Sequence, residues 1–384
     1  MRSFLSRLFP STEQQKPLAP GIFHWKTPDE APIQYRLHLR IEDEGMGVLI
    51  VNAATVLHLN TTATEHAMQL VRGLSEEEAA EAIAARYRVS KQNALNDHRD
   101  FREQVFTLAT NPDVDPVVYL DLDRAEPLDD TPSAPYRIDL ALTYRSDASG
   151  AVDPLARRRV DRELSTEEWQ RILDKIWRAG VPHVTFTGGE PTLREDLGRL
   201  IAYAEELGQV TGLLTNGRRL SDASYLDTLA QAGLDHILVT FIPADFDCER
   251  GLRNALASDV FTAAHLTLAR DNEEETVASL EHLHDLGIRS VSLSAEDRSK
   301  ALAETLVRAR EYAADIGLDL IWDLPAPYST TNPLALELET PPIGAGRAWL
   351  YVEPDGDVLP SQGIDEILGN LHSDPWEEIW SVYK

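Results

Sequence analysis

From Arg137 to residue 322 the chain alternates between strand-like and helix-like patterns, and this alternation constrains its fold more than any other feature. Strand candidates at 137–144, 182–187, 210–215, 235–241, 260–268, 289–294 and 318–322 are separated by helical patterns, notably at 166–179, 195–207, 222–232, 273–286 and 299–316. Repeated βα units imply parallel strands joined by right-handed crossovers. Six or seven such units suit an open or partial barrel, of (β/α)6 type, better than a closed eightfold one. The strand faces add a second constraint. Val184 and Phe186 alternate with His183, Thr185 and Thr187; Leu266 and Leu268 with His265 and Thr267; Val291 and Leu293 with Ser290, Ser292 and Ser294. If the apolar set meets the outer helices, the lumen is lined by small polar groups, as a site for a polar ligand or water would be. A tightly filled barrel would carry Val, Ile and Leu there instead.

Upstream, residues 21–109 read as a separate α+β domain of winged-helix type. Ile33, Tyr35, Leu37, Leu39 and Ile41 alternate strictly, the mark of a half-buried strand, and two more strands are expected at 48–51 and 55–59. Three helices follow, with start signals at Thr62 and Glu65, at Ser75 and Glu78, and at Ser90. Such a domain binds DNA or a peptide. Residues 110–135 are acidic and proline-rich and read as a linker, while residues 1–20 read as a flexible start.

Charge decides between those partners. The 384 residues hold 36 Lys and Arg against 64 Asp and Glu, a formal net charge of −28. A polyanion is a poor partner for such a surface, so neither nucleic acid nor an anionic membrane is expected, and the small domain points to a peptide. No run reaches the roughly 18 apolar residues of a membrane span, which leads to an expected cytoplasmic location. A single cysteine, Cys248, excludes an intramolecular disulfide and any site built on several thiolates. Nor do His183, His265, His282, His284, Asp153 and Glu190 show a metal-ligand spacing; no metal site is expected, and no catalytic residue is assigned.

Two turns end strands and open helices. Thr187-Gly188-Gly189-Glu190-Pro191 follows the second barrel strand, and Thr215-Asn216-Gly217 the third. The glycines permit close backbone approach, and Glu190 places a carboxylate at the C-terminal mouth, where it could meet an ammonium group; a plain tight turn reads equally well. Together with Leu142-Thr143-Tyr144-Arg145, these segments resemble the barrel of radical S-adenosylmethionine (SAM) enzymes over roughly residues 137–322. Residues 346–360 and Leu368-Gly369-Asn370 look like a SPASM-type C-terminal extension, and residues 33–108 are similar to the PqqD-like domain that binds precursor peptides. The resemblance divides the chain into a PqqD-like domain at 21–109, a radical SAM-like partial barrel at 136–340 and a SPASM-like segment without cysteines at 341–384.

The chemistry does not follow the resemblance. In that family a loop after the first strand supplies three cysteines, spaced Cys-x3-Cys-x2-Cys, to a [4Fe–4S] cluster. Here the matching positions are Ser146, Gly150 and Asp153, and Ser361 stands after Pro360 in the tail. No cluster is therefore expected, and with it go the electron source and the main anchor for SAM. What the resemblance leaves is weak SAM binding by Gly188, Gly189, Glu190, Pro191, Asn216, Thr240 and His265. The expected function is a cluster-less pseudoenzyme that binds a precursor or leader peptide and assists an active radical SAM maturase in ribosomal peptide or cofactor maturation. The alternatives are a non-radical enzyme using SAM or a nucleotide, and an active radical enzyme whose cluster cysteines have been substituted. Cys248 itself reads as a bland surface or half-buried thiol.

Overall fold

The computed structural model describes residues 17–28, 30–53, 55–111, 114, 116–120, 132–146, 160, 162–268, 272–295, 299–321 and 344–381. The chain divides into two compact units, residues 1–133 and 134–384.

In the first unit, β1 (Gly21–Lys26), β2 (Arg36–Ile41), β3 (Gly47–Val51) and β4 (Thr55–Leu59) form one antiparallel sheet in sequence order. Three strands were expected; the additional one is β1, which pairs along its whole length with β2, Gly21 opposite Ile41 and Lys26 opposite Arg36. The strand expected from Ile33 begins only at Arg36, where the β1 pairing starts. The helices are α1 (Thr61–Val71), α2 (Glu76–Arg86) and α3 (Lys91–Thr110). Ser75 and Glu78 close a reciprocal capping box on α2, and the Ser90 hydroxyl accepts from the Asn93 amide to start α3. The first helix starts earlier than its expected Thr62 cap, because the Asn60 side chain accepts from the Ala63 amide. One sheet face, carried by Leu37, Leu39, Leu49, Val51, Leu57 and Leu59, packs on Ala63, Ala67 and Met68 of α1 and on Phe101, Val105 and Leu108 of α3. Period-2 alternation in the strands and 3.6-residue periodicity in the helices thus meet in one core.

Among the described residues the second unit contains six consecutive βα pairs, the (β/α)6 arrangement expected. They are β5 (Arg137–Thr143) with α4 (Thr166–Arg178), β6 (His183–Gly188) with α5 (Leu197–Leu207), and β7 (Val210–Thr215) with α6 (Ala223–Gln231). Then follow β8 (His236–Thr240) with α7 (Phe246–Leu256), β9 (Phe261–Leu268) with α8 (Glu273–Leu286), and β10 (Ser290–Ala295) with α9 (Lys300–Asp315). Helix α7 was not among the expected helices. Its Gly251 lowers helix propensity yet is required, because a Cβ there would lie 1.9 Å from the Gly217 carbonyl oxygen. The two-residue β11 (Asp319–Leu320) completes one end of the parallel run. At the other end, β12 (Trp349–Val352) pairs in parallel with β5, and β13 (Asp357–Leu359) and β14 (Gly369–Asn370) follow antiparallel, so residues 344–381 extend the barrel sheet. The Lys175 ammonium on α4 donates to the Leu371 and Asp374 carbonyls at 2.5 and 2.7 Å and fixes the segment after β14, which ends in the short helix α10 (Trp376–Trp380).

Strand parity sorts the barrel side chains as the sequence suggests. Val184, Phe186, Leu266, Leu268, Val291 and Leu293 join the helix-facing core with Trp169, Ile172 and Ile176 of α4. The opposite face carries Thr185, Thr187, His265, Thr267, Ser290, Ser292 and Ser294, so the lumen is lined largely by hydroxyl groups.

Candidate functional site

The ends of β6 and β7 are locked together by one carboxylate. Glu190 is 2% exposed, and its Oε1 accepts from the Thr192 amide (3.0 Å), the Thr192 hydroxyl (2.5 Å) and the Thr215 hydroxyl (2.7 Å). Its Oε2 accepts from the Asn216 amide at 2.8 Å. Burial pushes this carboxyl above its ordinary pKa, and the four donors oppose that shift. Gly188 and Gly189 face the end of β5. A Cβ on Gly188, whose φ is +136°, would lie 2.1 Å from the Thr143 carbonyl oxygen, and one on Gly189 would lie 2.3 Å from that of Arg145. The Gly189 and Glu190 amides donate to those same two oxygens at 2.7 and 2.8 Å. Pro191 opens a single 3-10 turn with Glu190 as its cap. The Gly-Gly-Glu-Pro segment therefore makes a three-strand joint, in which glycine is needed for the chain's own backbone and Oε2 of Glu190 retains the spare acceptor capacity.

A second group lies deeper. Thr240, His265 and Ser292 stand in register on β8, β9 and β10. His265 is fully buried; its Nδ1 lies 3.1 Å from the Ser292 hydroxyl, and its Nε2 lies 3.0 Å from the hydroxyls of both Thr267 and Ser294. The imidazole is thus set in a cluster of neutral hydroxyl groups. Leu214, Leu238 and Ala263 make an apolar patch on the same face. At the strand N-termini, His183 and His236 approach with Nε2 atoms 3.3 Å apart, and Gly212 leaves the room that the His236 ring fills. Desolvation, with Arg137 nearby, lowers the His236 pKa to about 4. Beside it Arg137 pairs with buried Asp139 at 2.9 Å, yet burial still raises the Asp139 pKa. At the strand C-termini, Phe241, Ile242, Pro243, Leu266, Thr267 and Thr276 line a cavity of about 250 Å³.

The end of β5 is where a cluster loop would begin, and there the chain presents oxygen and nitrogen groups. Tyr144 donates from its hydroxyl to Glu353 Oε1 at 3.0 Å and lies 3.3 Å from the Tyr351 hydroxyl; burial and the neighbouring carboxylate hold its pKa well above the usual value. Arg194 donates to the Leu142 and Leu164 carbonyls, both at 3.1 Å, and pairs with Asp196, while Glu163 sits between Arg145 (3.6 Å) and Arg194 (3.8 Å) and accepts from Thr143. Tyr144, Arg145, Tyr351 and Glu353 lie in segments that carried the sequence resemblance, but no role was read for them, since Tyr351 and Glu353 lie far along the chain from Tyr144 and the β5–β12 pairing joins them. Ser146 is half-buried at the end of the described segment; Gly150 and Asp153 lie outside the described residues. Ser361 is buried and donates to the Gln362 carbonyl.

The sulfur is elsewhere. Cys248 sits on α7 in the helix-facing core, fully buried, its Sγ 3.7 Å from the Thr240 carbonyl oxygen, and burial raises its pKa to about 11. The lone thiol is packed away from the end of β5 and held protonated, so the side chains present do not fit a [4Fe–4S] cluster.

In the first unit the sheet has two edges, β1 and β4. The β1 edge exposes His24 and Lys26, features that discourage strand addition. The β4 edge carries Thr55, Val56 and His58, with neither Pro nor Lys, and α3 packs against the neighbouring β3.

Residues 143–295 match the Radical SAM superfamily. Among curated proteins, the chain is 29% identical over 282 residues to the PqqA peptide cyclase of Rhodopseudomonas palustris, a match covering 65% of this chain and 72% of that protein. It is 28% identical over 281 residues to the PqqA peptide cyclase of Rhizobium meliloti, covering 64% and 71%. Among solved structures, Streptococcus suis SuiB superposes with a TM-score of 0.54 at 17% identity, over 90% of this chain and 86% of SuiB. SuiB bound to precursor peptide SuiA gives 0.55 at 15% identity, over 95% and 88%, and SuiB bound to S-adenosylmethionine gives 0.56 at 16%, over 93% and 88%. Across this range of identity the SuiB likeness concerns fold. Among the described residues no helix is long and apolar enough to cross a membrane. The chain is thus similar to the PqqA peptide cyclases, carries a segment that matches the Radical SAM superfamily, and has the fold of SuiB.

Proposed function

We propose that this chain binds a precursor peptide through its first unit and assists a partner maturase, carrying no radical chemistry of its own. The observation that carries this reading is the placement of its single cysteine, buried at the outer core with a thiol held protonated, while the end of β5 is occupied by Tyr144, Glu163 and Arg194. Reductive cleavage of SAM needs a cluster iron that delivers an electron and chelates the methionine group; nothing in this donor set replaces it. The four-stranded sheet with helix α3 supports the peptide half of the reading, since an extended peptide gains main-chain hydrogen bonds by lengthening a sheet at its edge. The relatives agree in substrate class: one is named for a peptide it cyclises, and SuiB has been solved with its precursor peptide.

The test is twofold. Anaerobic treatment of the purified chain with iron and sulfide should yield no stoichiometric cluster absorbance, and a leader peptide encoded beside this chain's gene should bind at micromolar concentration. A full cluster, or SAM turnover to 5′-deoxyadenosine, would end the pseudoenzyme reading. A second reading, a non-radical SAM or nucleotide enzyme, draws on the hydroxyl-lined lumen and the cavity at the ends of β8 and β9. Micromolar SAM binding by the metal-free protein, weakened by Glu190→Ala, would favour it.

A further inference from the structure

The outward face of α4 bears a stripe of cations. Arg171, Lys175 and Arg178 fall at i, i+4 and i+7, turned away from the Trp169, Ile172 and Ile176 stripe that packs into the core. Like charges at this spacing repel one another, and they stand in a chain where acidic residues outnumber basic ones, 64 to 36. The three are unequally engaged. Lys175 is spent on the Leu371 and Asp374 carbonyls. Arg178 is 79% exposed and lies 4.0 Å from Asp174, the limit of an ion pair. Arg171 is exposed and, among the described residues, makes no hydrogen bond or ion pair.

These side chains, with Asp174 of α4 and Trp376 and Glu377 of α10, line one cavity of about 600 Å³, a volume in the range of small-molecule sites. The Trp376 ring is held in place: it packs against the core and stacks on Trp380, with centroids 5.6 Å apart and planes at 15°. The Tyr203 hydroxyl of α5 donates to Asp174 at 3.1 Å and orients that carboxylate. The lining therefore offers guanidinium donors for anionic oxygens, carboxylate acceptors for hydroxyl groups, and an indole for a flat ring. A bare polyphosphate would meet the repulsion of two carboxylates, and an aromatic cation that of the two guanidinium groups. A nucleoside phosphate carries a partner for each.

We propose that this cavity binds a nucleoside phosphate, its base against Trp376, its ribose hydroxyls on Asp174 and Glu377, and its phosphates on Arg171 and Arg178. The site lies on the helix side of the barrel, apart from the hydroxyl-lined lumen, and is built from α4 and α10 alone. A bound nucleotide bridges those two helices and so acts beside Lys175 in holding residues 371–380 on the barrel. Nothing in this site depends on peptide binding by the first unit.

The test is calorimetric titration of the full chain with ADP, GDP and inorganic pyrophosphate, followed by hydrogen exchange of the saturated protein. ADP or GDP should bind one per chain at micromolar concentration and slow exchange at residues 371–380. Pyrophosphate should bind about tenfold more weakly or worse, for want of a ring to stack. Arg171→Gln/Arg178→Gln changes two exposed side chains, so it should fold as the parent does and weaken the nucleotide about tenfold. No heat from ADP or GDP at millimolar concentration would overturn the proposal. So would nucleotide binding that the double variant leaves unchanged, or that leaves exchange at 371–380 unaltered, since the ligand would then sit elsewhere. Pyrophosphate binding as tightly as ADP would overturn the nucleoside assignment and leave a plain anion site. Each of these results leaves the peptide-binding reading of the first unit standing.

Discussion

Glu190→Gln separates a structural role for the Gly-Gly-Glu-Pro turn from a ligand role. The substitution keeps the shape of the side chain and removes its charge. If the amide oxygen takes the Oε1 place, the two Thr192 donors and Thr215 keep an acceptor. The amide nitrogen then faces the Asn216 N–H at what is now a 2.8 Å contact, donor against donor. A lost hydrogen bond to a charged acceptor is worth about 1.5–3 kcal/mol, and the three that remain fall to neutral strength. Removing a buried carboxylate returns part of this, leaving a net loss of about 2 kcal/mol, or roughly 4–8 °C in the melting of a unit of this size. Differential scanning calorimetry of the whole chain at neutral pH measures it. Because burial raises the Glu190 pKa, the folded parent takes up this proton more readily than the unfolded chain, so the parent should gain on the variant as pH falls and the difference should widen. A neutral-pH melting temperature within 1 °C of the parent would refute the joint as an energetic element.

Other expectations are equally concrete. Gly188→Ala should cost about 3 kcal/mol or more, read from denaturant midpoints, since its Cβ meets the Thr143 carbonyl oxygen at 2.1 Å at a φ of +136°. Cys248 should resist alkylation at pH 7 and react fully in denaturant, because its buried thiol has a pKa of about 11; rapid native labelling would contradict the burial. His66 of α1, against His98 and Phe101 of α3, has its pKa lowered to about 3 by burial and by His98. The unfolded chain therefore binds more protons between pH 6.5 and 3, and stability is lost as pH falls through that window, by about 2–3 kcal/mol at pH 4.5. His66→Gln should flatten this acid limb in circular dichroism titrations; an unchanged limb would assign it elsewhere. Lys175→Met should free the segment after β14, seen as faster hydrogen exchange at residues 371–380 and unchanged exchange in β8.

The parts of the fold legible in the sequence were those with one dominant local signal. Five of the six βα pairs declare themselves by period, and the Ser75–Glu78 box and Ser90 cap by residue type. Strand β1 has no clean alternation, since Ile22, Phe23 and Trp25 mix both faces, and it is made a strand by its pairing with β2. Helix α7 was hidden by Gly251, a residue that weakens the helix so that it can approach Gly217. At the candidate site, the loop ends marked by Gly188, Gly189, Glu190 and Asn216 were found, but what they contact was not. The Gly189 and Glu190 amides are hydrogen-bonded to the Thr143 and Arg145 carbonyls at the end of β5, a fact that lies in the register of two strands. The Tyr144–Tyr351–Glu353 group was invisible for a similar reason, being a product of topology.

That topology sets an order of events during synthesis. Tyr144 at the end of β5 and its partner Tyr351 are 207 residues apart, so β5 leaves the ribosome long before the strand that borders it. At 5–20 residues per second the delay is roughly 10–40 s. Until β12 arrives, the first barrel strand presents an unpaired parallel edge, and neighbouring nascent chains can offer it the same strand. The late-arriving segment thus acts as the closing stitch of the barrel, and shortening the chain before β12 should be read first as a route to aggregation.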